Sequence, residues 1–217
     1  LCFAPTVGIA ERLIKSGVDA LIIEGHEAGG HIGPVSTAVL AEQILPNTRD
    51  VPVFVAGGIG TGLMMVHYLL MGASGVQLGT KFAVADECPA HDNFKDYLIR
   101  AGAKDAQPTA QFDPRVPVIP VRALLNEGTT DFTTLQLGLL AQLERDAITP
   151  REAGIKLEEF WIGGLKKAAI DGDVENGSLM AGQSVGLVKE RMPVAEIIQE
   201  LISEARTEAE RILELLS

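Results

Sequence analysis

Three apolar runs, each breaking off into a glycine-bearing loop, constrain this chain more than any other feature. They are Asp19–Glu24, Val51–Ala56 and Gly75–Leu78, followed by Gly25, by Gly57-Gly58 and by Gly79-Thr80. A fourth piece, Leu1-Cys2-Phe3-Ala4, reads as the tail of a preceding strand. Between them apolar residues recur at helical spacing: Val7–Ser16, Thr37–Leu45 and Leu63–Met71. Gly17 and Gly72 end two of these helices, and Pro46 stops the third. Alternating strands and helices with short connections predict parallel βα units. The strands read as continuous apolar runs, as expected when both faces are covered.

The loop after the first full strand carries the densest chemistry. Glu24-Gly25-His26-Glu27-Ala28-Gly29-Gly30-His31-Ile32-Gly33 holds four glycines, two histidines and two glutamates. Glycine lets backbone approach a ligand closely, and histidine exchanges a proton near neutral pH. Loops at strand ends often carry function. The next two strand ends present backbone amides suited to an anion. In (β/α)₈ barrels the usual phosphate site follows strands seven and eight. Aligning the two glycine loops with that pair makes the strand ending at Glu24 the sixth and Leu1–Ala4 the end of the fifth. The expected fold class is therefore α/β, a TIM (β/α)₈ barrel of which about the last four βα units are present, plus a C-terminal helical segment. Leu1 is neither a methionine nor the start of a signal peptide, which fits a chain cut from something longer.

After Thr80 the rhythm changes. Helices are expected at Asp92–Arg100, near 131–145, at 157–170 and from Val194 onward. Residues 106–121, with prolines 108, 114, 117 and 120, read as irregular. This divides the chain into residues 1–90, the barrel half with the loops, and residues 91–217, a mostly helical insertion and C-terminal segment packing on it. The final helix shows a stripe at Ile197, Ile198, Leu201, Ile202, Ala205, Ala209, Ile212 and Leu213, which reads as core packing.

The formal net charge of −11 argues against nucleic-acid or anionic-membrane partners. Cys2 and Cys88 form no C-x-x-C pair, which suits a reducing, cytoplasmic compartment. No apolar run approaches the ~20 residues of a membrane-spanning helix. Three other site readings fit less well. Gly58-Ile59-Gly60-Thr61-Gly62 lacks the last glycine of the dinucleotide fingerprint, since Leu63 stands there. His26-Glu27 with His31 is one residue too long for a zinc helix, and Gly29-Gly30 would break it. Asp171, Asp173 and Glu175 lack the full calcium-loop pattern. No metal is expected.

Taken together, Glu24–Gly33, Ala56-Gly57-Gly58-Ile59, Gln77-Leu78-Gly79-Thr80 and Gly172–Gln183 resemble the FMN-dependent nitronate monooxygenase (2-nitropropane dioxygenase) family. That family includes the flavin-containing type II enoyl-acyl-carrier-protein reductases. The resemblance covers essentially the whole chain. It implies non-covalent FMN, with Gly57, Gly58, Gly79 and Thr80 at the phosphate and Gln77 beside them. Glu24, Gly29 and Gly30 would lie along the cofactor. His31 matches the family's catalytic histidine, while Met180, Ala181, Gly182 and Gln183 would close the substrate pocket; His26, read from its place in the loop, either lines that pocket or faces solvent. The implied activity is oxidation of alkyl nitronates with O₂. NAD(P)H-dependent enoyl reduction is the alternative, and a non-catalytic fragment is a second. The implied partner is a small molecule, nitronate or enoyl thioester. Position 24 is Glu where many nitronate enzymes carry Asp.

The remaining candidates read as structural. His67 reads as a packed or surface histidine, His91 as a helix cap or surface residue, and Phe160 and Trp161 as packing between helices. Glu208, Glu210 and Glu214 form a solvated face.

Overall fold

A computed structural model of the chain describes residues 1–116 and 120–217. In chain order the first elements are β1 (Cys2–Ala4), α1 (Val7–Lys15), β2 (Leu21–Glu24), β3 (Gly30–His31) and α2 (Thr37–Ile44). β4 (Val53–Ala56), α3 (Gly62–Leu70), β5 (Gly75–Gln77) and α4 (Thr80–Ala83) follow. Strands β1, β2, β4 and β5 form one parallel sheet in that spatial order. Each new strand is added on the same side of the last. That is the winding of a barrel wall, whereas a doubly wound sheet reverses at a switch point. The four expected strand–helix units are all present.

The pleat separates two faces. Leu21, Ile23, Val53 and Val55 are buried against Leu40 and Ile44 of α2 and Tyr68 of α3. On the other face the register aligns Phe3, Ile22, Phe54 and Gly75 in one row. A Cβ at Gly75 would lie 2.9 Å from the Phe54 ring, so the row ends in glycine because that ring fills the space. One row further, Glu24, Ala56 and Gln77 align at the C-terminal edge of the sheet. All the glycine loops therefore open from one edge.

The second half contains α5 (Asp92–Arg100), β6 (Ala106–Pro108), β7 (Val121–Leu124), α6 (Glu127–Leu143), α7 (Pro150–Ala169) and α8 (Val194–Leu216). Residues 106–121, expected to be irregular, hold β6 and the start of β7. Their prolines obscured two short strands, and Pro108 is tolerated at a strand end. Pro117, Val118 and Ile119 lie outside the described residues. β7 is central to a small antiparallel sheet ordered β3-β7-β6. The histidine loop thus supplies a strand to the second half, pairing Gly30 with Arg122 and His31 with Val121.

Helices α6 and α7 begin earlier than their apolar spacing predicts. Asn126 and Thr129 form a capping box at one start, and Thr149 and Glu152 at the other, with Pro150 in the first turn. Their apolar faces meet in an aromatic cluster in which the Phe132 and Trp161 rings lie 4.1 Å apart. Phe160 joins it at 5.5 Å, as a helix-packing role requires. His91 caps α5, its Nδ1 accepting from the Asn93 amide at 3.1 Å. Glu208 departs from the solvated face expected of it. It is 5% exposed, 3.1 Å from His67 Nε2 and paired with Arg211. Helix α8 lies on α3, so a residue one turn from exposed glutamates faces a neighbour. Among the described residues no helix is long and apolar enough to cross a membrane.

The α3–α8 contact is a backbone contact. A Cβ at Gly62 would overlap the Leu201 carbonyl, and the Gly62 amide donates to Glu204 at 2.6 Å. Gly62→Ala should therefore destabilise the fold by about 3 kcal/mol or more, as overpacking against immobile backbone does. Urea unfolding measures it.

Candidate functional site

The histidine loop is closed by its own backbone. The His26 amide donates to the Val35 carbonyl at 2.7 Å. His26 Nδ1 lies 3.2 Å from the Gly33 carbonyl, which can only accept, so Nδ1 carries the proton there. Glu27 ties the loop to α2. Thr37 donates its amide (2.9 Å) and its hydroxyl (2.8 Å) to the Glu27 carboxylate, and that hydroxyl also lies 3.1 Å from the Gly57 carbonyl. Ser36 makes no side-chain cap, so Glu27 supplies the negative charge that a helix start favours.

The segment 179–183 seals the loop from the other side. Met180 bridges to Ala123, and the Leu124 amide donates to the Leu179 carbonyl at 2.9 Å. The Gln183 amide donates to the Glu27 carbonyl at 3.0 Å, and the Gly182 amide to Thr80 Oγ1 at 3.0 Å. A Cβ at Gly29 would overlap the Ala181–Gly182 backbone. Met180 Sδ would stand 3.6 Å from a Cβ at Gly30. Met180, Ala181, Gly182 and Gln183 thus meet Gly29, Gly30 and Thr80 at one place, across about 150 residues of chain.

Gly57 and Gly58 turn through left-handed conformations (φ 99° and 74°), which side chains rarely adopt. A Cβ at Gly58 would also lie 2.9 Å from Glu27 Cβ. Among the described residues the amides of Gly57, Gly58, Gly79 and Thr80 donate to no protein acceptor. Open space lies where a Gly79 side chain would project. Gln77 is exposed on the same edge.

Charge is unevenly distributed around the loop. Arg122 is 1% exposed. It donates through Nε and Nη2 to the His26 carbonyl (3.2 and 2.9 Å) and through Nη1 to the Ala106 carbonyl. Burial pulls its guanidinium below its ordinary value, and the Glu27 charge works against that. Burial pushes the Glu24 carboxyl up, and the nearby His31 opposes the shift. His31 is half-exposed, with Nε2 3.6 Å from Glu158 Oε2 on α7.

The chain and its fold match known proteins. The family model described as nitronate monooxygenase covers residues 1–204. The chain belongs to the nitronate monooxygenase family. Over 98% of its length it superposes on FabK from Thermotoga maritima, with a TM-score of 0.82 and 30% identity, covering 62% of that chain. A nitroalkane oxidase from Streptomyces ansochromogenes superposes with a TM-score of 0.71 and 26% identity over 97% of this chain and 58% of its own. A relative from Rhodococcus jostii is named (3aS,4S,5R,7aS)-5-hydroxy-7a-methyl-1-oxo-octahydro-1H-indene-4-carboxyl-CoA dehydrogenase. It is 27% identical over 93% of this chain and 64% of its own length. The chain therefore spans under two thirds of the length of these relatives.

Three residues of the site escaped sequence reasoning. Arg122 has a signal in retrospect, a single charge within the apolar run Val121–Leu125. Glu27 stands in the loop singled out for its chemistry, but its partner Thr37, like Glu158's partner His31, lies on another element.

The Glu24 shift has a consequence for stability. Between the ordinary glutamate value and the raised one, the folded chain binds more protons than the unfolded chain. Stability then falls as pH rises through that window, and the loss persists above it. Glu24→Gln should accordingly be more stable than the parent at pH 7, with the difference closing toward pH 4. Urea midpoints at both pH values test this. A less stable Gln variant at pH 7 would show that attraction to His31 outweighs burial.

Proposed function

We propose that the full-length protein is an FMN-dependent oxidoreductase of the nitronate monooxygenase type, with His31 as its proton-handling residue. The observation that carries this reading is the meeting of the Gly29–His31 loop with residues 180–183, beside two loops whose amides are free. Those amides fit a phosphate. Gly57, Gly58, Gly79 and Thr80 offer N–H donors on backbone that no side chain screens. Glu24, Gly29, Gly30 and Gln77 would flank the rest of the group, and Met180–Gln183 would wall the reacting end with His26 behind it. Bound FMN supplies the capacity to accept electrons from the substrate.

The protein's own part is binding and proton transfer. His31 is half-exposed and can exchange its proton with both substrate and solvent. It takes the proton from the carbon beside a nitro group, or as imidazolium holds the negative charge of the nitronate oxygens. Glu27 is unsuited to that role, because its carboxylate is committed to α2. His26 is likewise committed through both its ring and its carbonyl.

A second reading, NAD(P)H-dependent enoyl-acyl-carrier-protein reduction, is favoured by the likeness to FabK along nearly the whole chain. The electron donor separates the two. Under anaerobic conditions an alkyl nitronate should bleach the flavin absorption of the purified full-length protein, and NADH should not. The reverse result would favour the reductase, and a purified protein that takes up no flavin would overturn both. His31→Ala should retain flavin and lose roughly 10²- to 10⁴-fold in turnover. Unchanged turnover would remove His31 from the mechanism.

A further inference from the structure

We infer that Glu158 is a positioning residue for His31, setting which ring nitrogen carries the proton. The inference rests on the reading of His31 as the proton-handling residue. His31 Nε2 faces Glu158 Oε2 at 3.6 Å, and both side chains are about half-exposed, at 48% and 45%. At that separation the contact is electrostatic rather than a tight hydrogen bond.

Two independent features hold the pair in place. The His31 backbone is paired to Val121 in β3–β7, with the neighbouring Ile32 amide donating to the Pro120 carbonyl at 3.0 Å. Glu158 follows Leu157, and Leu157 and Trp161 are buried in the aromatic cluster between α6 and α7. The helix face that buries these two residues therefore delivers Glu158 to the rim of the histidine loop. Position 154, one turn earlier on the Glu158 side, is glycine and open, so no side chain competes for that space.

The chemistry follows from what a carboxylate can do. An ionised carboxylate only accepts, so a neutral imidazole whose Nε2 faces it keeps its proton on Nε2. Nδ1 is then left with the lone pair, which is the form a general base needs. Glu24 also lies near His31, but on β2 and half-buried, where burial disfavours its charged form. Glu158 touches neither substrate nor flavin in this scheme.

The test reads the ring itself. Long-range ¹H–¹⁵N NMR of His31 in the full-length protein, at neutral pH without substrate, reports the tautomer directly. The parent should show mainly the Nε2–H form. In Glu158→Ala the ratio of the two tautomers should move roughly twofold to fivefold toward Nδ1–H, the range for a half-exposed charge pair, and Glu158→Asp should restore part of it. Turnover should fall by a similar factor with KM and flavin content unchanged. An identical tautomer ratio in the parent and Glu158→Ala overturns the inference. If the ratio moves while His31→Ala leaves turnover unchanged, the positioning contact stands and the catalytic reading of His31 falls.

Discussion

Everything at the candidate site depends on segments of chain passing one another at backbone distance. Gly29 lies against Ala181 and Gly182, Gly58 against Glu27, and Gly62 against Leu201. Side chains at Gly29 and Gly62 would overlap facing backbone, and one at Gly58 would crowd the Glu27 side chain. Close approach lets hydrogen bonds run directly from one loop to another. The Gln183 amide reaches the Glu27 carbonyl, and the Gly182 amide reaches Thr80. The result is a site whose walls are mostly main chain. Main chain has fewer soft degrees of freedom than side chains, so the amides left over keep fixed directions. A rigid set of unused donors is what an anionic ligand requires.

The polar groups that brace this arrangement are buried or half-buried, which makes their arrangement strict. Arg122 lies behind the histidine loop and spends its guanidinium on the carbonyls of His26 and Ala106, with Glu27 as the charge that offsets it. A buried cation without acceptors is costly. The loop therefore cannot leave Arg122 without exposing that cost, and β7, which carries Arg122, is tied in turn to Met180. Glu27 works in the opposite direction, binding the loop to the start of α2. The loop is held between a cation on one side and a helix terminus on the other.

The parallel sheet was legible in the sequence because its strands are fully buried and its turns are glycines, and both are local signals. The pairing of the glycine loops with one sheet edge followed from the alternation alone. The second sheet was not legible. β3 is two residues long, β6 ends at Pro108, and their register depends on β7, about ninety residues from β3. Helix starts at Asn126 and Thr149 were present in the sequence as capping residues, but the apolar spacing that located the helices begins a turn or more later. Glu208 shows the same limit. Its neighbours on α8 are solvated, and only the approach of α3 makes it a buried partner of His67. Local pattern identifies elements, and long-range approach decides what a polar residue does.

That distinction separates the two histidines of the loop. By residue type and neighbours alone they are equivalent, each beside a glycine, and only the family resemblance favours His31. In the fold, His26 is enclosed by contacts that use its ring, its amide and its carbonyl, so any proton it carries is already committed. His31 sits five residues on, beyond the glycine pair, where the chain turns into β3 and points its side chain toward α7. Its main chain is fixed by strand pairing while its ring stays half in solvent. Proton transfer needs both properties: a ring held in one place and a path by which its proton returns to water. The glycine pair allows close packing on one side of it and strand pairing on the other. The same two residues therefore let the loop pack against residues 180–182 and place the histidine at the edge of that contact.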